Sequence, residues 1–258
     1  MADERKSVRL DGKVALITGA GAGMGREHAL LLAARGARIA VQDIDTDGAR
    51  ETVRRVTAAG GAAMAFASDV AKVGAIQQTV RDVESTWGRI DILINNAGIH
   101  ERRPFEEIEE AHFQRMFDIH VKGAFFATQA TVPGMKARKS GKIINISSTA
   151  GMTGTLGDVH YCGAKAALLG LTKAWAKELA PWNIHVNAIC PGPIATEMAV
   201  RNRGWEGIRE RAEKEIPLRR YGDPVDVSHA VGFLASSESD FITGQALPIA
   251  GGLAIVGI

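Results

Sequence analysis

Tyr161 stands four residues before Lys165 in the stretch His160-Tyr161-Cys162-Gly163-Ala164-Lys165, and it is one of only two tyrosines among 258 residues. In a helical segment, residues four apart lie one above the other on the same face, so the phenol and the ammonium become neighbours. A cation at that place favours the phenolate, the form a proton acceptor needs. Packing alone could also account for the pair, so the elements that would position it have to be read from the rest of the chain.

A second group of residues has the chemistry of a phosphate cradle. Gly19, Gly21, Gly23 and Gly25 fall between the apolar run Lys13–Thr18 and an Ala/Leu-rich segment of helical character. Glycines let a bare backbone approach a pyrophosphate, which then rests on free N–H groups at the positive end of the helix. The order is Gly-x-x-x-Gly-x-Gly, not a strict GxGxxG, and a plain tight turn is the competing reading. The next apolar run ends at Asp43, about 20 residues on, where an acid can bind both adenosine ribose hydroxyls and repel a 2′-phosphate. No Arg or Lys lies between Gly19 and Gly25 to receive that phosphate, so the pattern predicts NAD rather than NADP. A helix cap or turn acid ahead of Ile44-Asp45-Thr46 is the alternative for Asp43.

The elements that must hold these residues follow a regular rhythm. Short apolar runs at 13–18, 38–43, 91–96, 142–147 and 183–190 read as strands covered on both faces. Between them, 23–35, 46–58, 72–87, 111–136 and 159–180 are long enough for helices. Repeated β-α-β predicts an α/β fold, a single Rossmann-like domain with a doubly wound parallel sheet and helices on both faces, over residues 1–258. Residues 193–217 break the rhythm: they are charged, helical and placed just after a strand's carboxyl end, where such sheets bind ligands. They are expected to form a substrate-binding insert or lid.

Composition narrows the classes of function. An apolar content of 46% against 23% charged residues suits a sizeable core and excludes a disordered chain. With 31 basic and 29 acidic side chains the net charge is +2, which offers no basic stripe to nucleic acid or to a membrane surface. The first thirteen residues are too charged for an export signal, and no apolar run reaches the ~18 residues of a membrane span. Two cysteines, Cys162 and Cys190, fit free thiols in a reducing cytoplasm. The histidines have no metal-ligand spacing, and no metal is expected.

Taken together, Thr18-Gly19-x-x-x-Gly23-x-Gly25, Asn95-Asn96-Ala97-Gly98, Ser148, Tyr161-x-x-x-Lys165 and Pro191-Gly192 resemble the short-chain dehydrogenase/reductase family in order and approximate spacing, from about Leu10 to Gly252. The resemblance implies an NAD-dependent oxidoreductase that interconverts a secondary alcohol and a ketone. Tyr161 matches the family's acid/base, Ser148 its substrate-orienting serine, with Ser147 as the competitor, and Lys165 the lysine that holds the nicotinamide ribose. A free tyrosine titrates near ~10, so a base useful near neutrality needs a fall of roughly two to three pH units. Lys165 is expected to supply part of that fall and the nicotinamide's charge more. Gly19, Gly23, Met24 and Gly25 would take the pyrophosphate side, and Asp43, Asp69 and Val70 the adenosine. Asn95, Asn96, Ala97 and Gly98 would stabilise the sheet and border it, with Asn95 and Ala97 as cofactor neighbours, while Pro191, Gly192, Ile194 and Thr196 would meet the nicotinamide, beside Tyr161 and Lys165.

Two departures stand out. His120 occupies the place of the family's usual asparagine, which helps water link the lysine to solvent; histidine also donates and accepts, and titrates near ~6.5. It is expected to serve in the proton relay and add an acid limb to the pH–rate profile, with a satisfied buried histidine as the alternative. Ala250 replaces the acid of the family's C-terminal Asp-Gly-Gly. Leu168, Leu171 and Trp175 recur at helical spacing, as core or as a subunit interface, and the resemblance implies a homo-oligomer, dimer or tetramer. The partner is a small alcohol or ketone, its identity open. Arg102, Arg103, Arg201, Arg203, Arg209 and Arg211 could meet an anionic group, yet the neighbouring glutamates favour a solvated, internally paired helix surface as the reading. Met152, Leu156, Met198 and Trp205 are expected to wall the pocket. The contrasting function is a non-catalytic NAD sensor or scaffold on the same fold.

Overall fold

The structure, a computed structural model, describes residues 8–254, apart from the side chains of Met198, Arg201, Asn202 and Arg203. The expected β-α-β rhythm is present. In chain order the elements are β1 (Val14–Thr18), α1 (Gly23–Ala34), β2 (Arg38–Asp43), α2 (Thr46–Ala58), β3 (Ala62–Ala67), α3 (Val73–Trp87), β4 (Ile92–Asn95), α4 (Glu110–Phe117), α5 (Gly123–Arg138) and β5 (Gly141–Ile146). There follow α6 (Ala150–Thr153), α7 (Val159–Leu179), β6 (Ile184–Pro191), α8 (Glu197–Glu215), α9 (Pro224–Ala235) and β7 (Ala246–Ile249).

The strands form one seven-stranded sheet in the order β3-β2-β1-β4-β5-β6-β7, every pair parallel. Alternation along β1 divides the core between the two faces: Ala15 and Ile17 join side chains of α1, α2 and α9, whereas Val14 and Leu16 join those of α3, α5 and α7. Strand order reverses between β1 and β4, so a crevice opens beyond their carboxyl ends. The glycine turn, Asn95–Gly98, Ser147–Ser148 and Pro191–Thr196 all follow strands at that end.

Not every element was legible in the sequence. β3 (AAMAFA) and β7 (ALPI) lack the β-branched run that marks central strands, which fits their place as the two edges. α9 carries its Pro224 in the first turn, where the missing N–H costs no helical hydrogen bond. The single helix expected over 111–136 is divided into α4 and α5 by a π-helical turn, Asp118–Lys122. The insert at 193–217 is mostly α8, kinked at Gly204, and Ile208, Ala212, Ile216 and Tyr221 pin it down through an apolar cluster of its own.

Candidate active site

The glycine turn has the form its sequence demands. Any side chain on Gly25 would collide with the Gly19 carbonyl, so α1 can start this close to β1 only with glycine there. α1 has no side-chain cap and no acid in its first turn, which leaves its N–H groups available to an anion. Asn96 braces the turn by donating from Nδ2 to the carbonyls of Thr18 and Gly19, both at 2.9 Å. The Thr18 hydroxyl accepts the amides of Asn96 and Ala97 at 3.0 Å, tying β1 to β4.

Asp43 accepts the Gly21 amide at 2.7 Å and the Asp45 amide at 2.9 Å. The acid therefore stands beside the glycine turn at the end of β2, and the cap of α2 is Asp45 instead. Asp69 accepts the Ala71 amide at 2.9 Å, and Val70 is buried against Gly123. Asn95 is placed differently from expectation: it lies in the core, donating to Thr128 at 3.1 Å and to Asn145 at 2.8 Å, and so knits β4 to β5 and α5 rather than facing the crevice. Ala97 packs with the α3/α5 side of the core.

Beyond the strand ends lies a cavity of about 580 Å³, lined by Met24, Asn96, Gly98, His120, Ser147, Ser148, Tyr161, Lys165, Pro191, Gly192, Ile194 and Thr196 among others. That volume suits a small ligand. The residues just named come from six separate stretches of sequence and meet because the parallel sheet delivers every strand end to one side. Ser147 Oγ donates to the Lys165 carbonyl at 2.8 Å, while Ser148 Oγ accepts the Ala150 amide at 3.1 Å and shares the cavity wall with Tyr161.

Burial governs the site's protons. It pushes the Tyr161 phenol up to about 12, against the opposing pull of the Ser148 hydrogen bond. It also pushes Lys165 down to about 7. Lys165 Nζ lies 5.6 Å from the Tyr161 ring centroid and donates to the Ile146 carbonyl at 2.8 Å. Without a cofactor, desolvation outweighs the share of the fall expected from Lys165, a cation that is itself easily discharged, and the larger share was expected from the nicotinamide's charge.

The π-helical turn sets His120 inward, edge-on to Tyr161 with ring centroids 5.5 Å apart. Such turns recur where a helix re-aims a functional side chain. A side chain on Gly98 would occupy the place of the imidazole Cε1, so Gly98 makes room for the histidine. His120 Nε2 lies 2.8 Å from the Ile99 carbonyl and 3.0 Å from its amide, and Nδ1 is buried without a partner among the described residues. Burial, then the Lys165 charge, hold the ring's pKa well below 6.5, so the acid limb expected near that value is displaced to far lower pH.

Thr196 caps α8, its hydroxyl accepting the Ala199 amide at 3.3 Å and keeping its own proton free to donate. Ala250 packs on Gly192, so replacement of the acid changes a local contact next to the cavity. The expected apolar wall is corrected: Met152, Leu156 and Trp205 do not line the cavity, and Leu156 and Trp205 are 89% and 63% exposed. Positive φ at Gly154 turns the chain after α6, and the kink at Gly204 interrupts α8 just before Trp205. Ile99, Ile146, Ile194, Ala199, Leu253 and Ala254 supply the apolar surface instead. The side chains of Met198, Arg201 and Arg203 lie outside the described residues.

Of the other arginines, Arg103 pairs with Glu101 and Arg211 with Glu215, while Arg102 and Arg211 reach the cavity. His100, Asp158 and Tyr221 also line it and were not singled out from sequence. Asp158 precedes α7 in the position of a cap; it makes no such bond and turns to His100. Among the described residues no group of His, Cys, Asp and Glu could hold a metal ion, and no helix is long and apolar enough to cross a membrane.

Residues 19–254 match the family model described as enoyl-(acyl carrier protein) reductase. The chain is 40% identical to the 3-oxoacyl-[acyl-carrier-protein] reductase FabG of Thermotoga maritima over 248 residues, 96% of this chain and 100% of the relative. Among solved structures it is similar to a 7α-hydroxysteroid dehydrogenase complexed with NADH and 7-oxo glycochenodeoxycholic acid, with a TM-score of 0.91, 35% identity and 95% of each chain covered. A short-chain type dehydrogenase/reductase from Mycobacterium marinum gives the same TM-score at 35% identity, covering 96% of this chain and 97% of its own. With the seven-stranded parallel sheet and the serine, tyrosine and lysine on one cavity, these likenesses identify the chain as an oxidoreductase of the short-chain dehydrogenase/reductase family.

Proposed function

We propose that the protein interconverts a secondary alcohol and a ketone using NAD. The observation that carries this reading is the convergence of Ser148, Tyr161 and Lys165 on one cavity, next to a glycine turn and an uncapped helix N-terminus. The residues fit the dinucleotide: the free α1 amides suit its pyrophosphate, Asp43 its adenosine ribose, Asp69 and Val70 its adenine side, Asn96, Ala97 and Gly98 the border of its adenosine, and Pro191, Gly192, Ile194 and Thr196 its nicotinamide half. Bound NAD would supply the hydride acceptor, and NADH the donor.

The chain's own groups handle the oxygen and its proton. Ser148 and Tyr161 hydroxyls hold the reacting oxygen and fix its distance from the cofactor site. In reduction, Tyr161 gives its phenolic proton to that oxygen; in oxidation the phenolate takes it back. At about 12 the buried phenol is protonated near neutrality, the form reduction uses, whereas oxidation needs the phenolate, which positive charge near the ring favours. Lys165 then passes a proton to the phenolate. Nδ1 of neutral His120, the unpartnered buried atom, takes the place of the family's asparagine in linking Lys165 to water.

Asp43 favours NAD because a 2′-phosphate would bring like charge to a carboxylate already fixed by two amides. The test is to follow NAD reduction over a broad panel of secondary alcohols, alongside Tyr161→Phe, and to compare NAD and NADP dissociation constants. Turnover should fall by at least ~10²-fold in Tyr161→Phe, and NADP should bind more weakly. Equal turnover by both proteins would remove Tyr161 from its role, and equal affinities would remove Asp43 from its own. Tight NAD binding with no turnover on any substrate would favour the sensor reading.

A further inference from the structure

The substrate end of the cavity contains a charged cluster that the hydride-transfer chemistry does not use. Asp158 is 5% exposed, and its Oδ1 accepts a hydrogen bond from His100 Nε2 at 3.1 Å. This bond holds the His100 ring edge-on to Tyr161, with centroids 4.9 Å apart and an interplanar angle of 77°. His100 Nδ1 has no partner among the described residues. The same carboxylate lies 3.8 Å from Arg102 Nε, close enough to attract the guanidinium and too far for a hydrogen bond. Arg102 is fixed by a different contact, donating from Nη2 to the Leu156 carbonyl at 2.7 Å.

These contacts leave hydrogen-bonding capacity unspent, donors on Arg102 and an acceptor at His100 Nδ1. The phenol of Tyr161 marks where the reacting oxygen sits; His100 is its immediate neighbour, and Arg102, which shares Asp158 Oδ1 with His100, lines the same cavity. Most of the Arg102 donors remain unused among the described residues. Of the other cationic groups of the cavity, Lys165 donates to the Ile146 carbonyl at 2.8 Å, and Arg211 has its charge matched by a carboxylate at hydrogen-bond distance, Glu215 at 2.6 Å, as Arg102 does not. A guanidinium with free donors at the edge of a mainly apolar cavity is matched by a carboxylate, whose two oxygens fit its fork. A neutral, purely apolar substrate would leave those donors and His100 Nδ1 unpaired and partly desolvated, at a cost in affinity.

We propose that Arg102 and His100, positioned by Asp158, are specificity-determining residues, and that the substrate is a secondary alcohol or ketone that also carries a carboxylate: a hydroxy acid or oxo acid. This rests on the oxidoreductase reading of the same cavity. The arrangement places the carboxylate toward Arg102 and an intervening polar group, where the substrate has one, against His100. Asp158 acts through the other two as a positioning residue.

Two measurements test it, one of them independent of turnover. In the first, the NAD-loaded protein is titrated calorimetrically with 4-oxopentanoate and with methyl 4-oxopentanoate. The acid should bind at least tenfold more tightly than the ester; equal binding, or binding of neither, overturns the proposal. In the second, kcat/KM with NAD is compared for matched acids and methyl esters, 3-hydroxybutyrate, 4-hydroxypentanoate and mandelate, alongside neutral polyols. The acids should lead by at least tenfold, and Arg102→Gln should bring the acid-to-ester ratio near one, chiefly through KM. Arg102→Lys should give an intermediate ratio, and Arg103→Gln, already paired with Glu101, should leave it unchanged. Preference for esters or polyols, or an Arg102→Gln ratio like the native one, would refute the assignment. Acids that bind tightly while no alcohol is ever oxidised would instead refute the proposed turnover and leave the carboxylate site standing.

Discussion

Lys165 offers the sharpest check on the electrostatics of the site, because its burial should be visible in the stability of the folded chain. The residue is fully enclosed, and desolvation lowers its pKa from 10.5 to about 7. Each pH unit of that fall corresponds to about 1.4 kcal/mol, so the folded state below pH 7 bears a cost of about 5 kcal/mol for keeping the ammonium charged. The sign follows from proton counting. Between about 7 and 10.5 the unfolded chain binds a proton that the folded chain has released, so stability rises with pH across that window and is flat in this respect outside it. Lys165→Met keeps the length of the side chain and removes the titration. Urea unfolding of both proteins, cofactor-free, from pH 6 to pH 10 should show the variant ahead at pH 6. Its lead should shrink by about 1.4 kcal/mol per pH unit above 7. A difference that stays constant over the range would mean that Lys165 does not titrate near neutrality in the folded protein, and its role as a proton carrier would lose its basis.

Other perturbations probe neighbouring contacts. His28, fully buried and bonded through Nδ1 to Ser228 at 2.7 Å, is driven by burial down to about 3, so stability should be lost as pH falls from about 6.5 toward 3; His28→Gln should flatten that slope in acid unfolding curves. Gly98→Ala forces a methyl into the His120 ring and should cost roughly 1–3 kcal/mol in thermal unfolding, with a larger relative loss of kcat than of cofactor affinity; an unchanged kcat would separate Gly98 from the site. His120→Phe removes both ring nitrogens from the proposed relay and should lower kcat by roughly tenfold or more, whereas His120→Asn should restore most of the rate; equal rates for the two variants would reduce His120 to packing. Phe113, Phe125 and Val159 are exposed apolar side chains on α4, α5 and α7, and light scattering should give the mass of a dimer or tetramer; a monomer at working concentration would overturn the homo-oligomer that the family resemblance implies.

Much of this was written in the local sequence. Apolar runs with both faces covered located the central strands, the glycine turn located the start of α1, and the four-residue step from Tyr161 to Lys165 put the pair on one helical face. Those features depend on neighbours within a turn or a strand, where periodicity and backbone freedom decide the outcome. β3 and β7 escaped because an edge strand needs less apolar patterning, and the pattern of α4 and α5 hid a π turn whose inward aim depends on Gly98, over twenty residues earlier in the chain. Asn95 read as a cofactor neighbour and proved a core crosslink, because only the packing of β4 against β5 and α5 shows where its amide points. The proton chemistry belonged wholly to the tertiary structure: sequence put a cation beside a phenol, while enclosure raised the phenol to about 12 and lowered the lysine to about 7. The same holds for His100, Arg102 and Asp158, whose types were plain and whose meeting was not. Spacing along the chain determines what a helix or turn can present, but desolvation and long-range contact exist only once the sheet has carried its strand ends to one side.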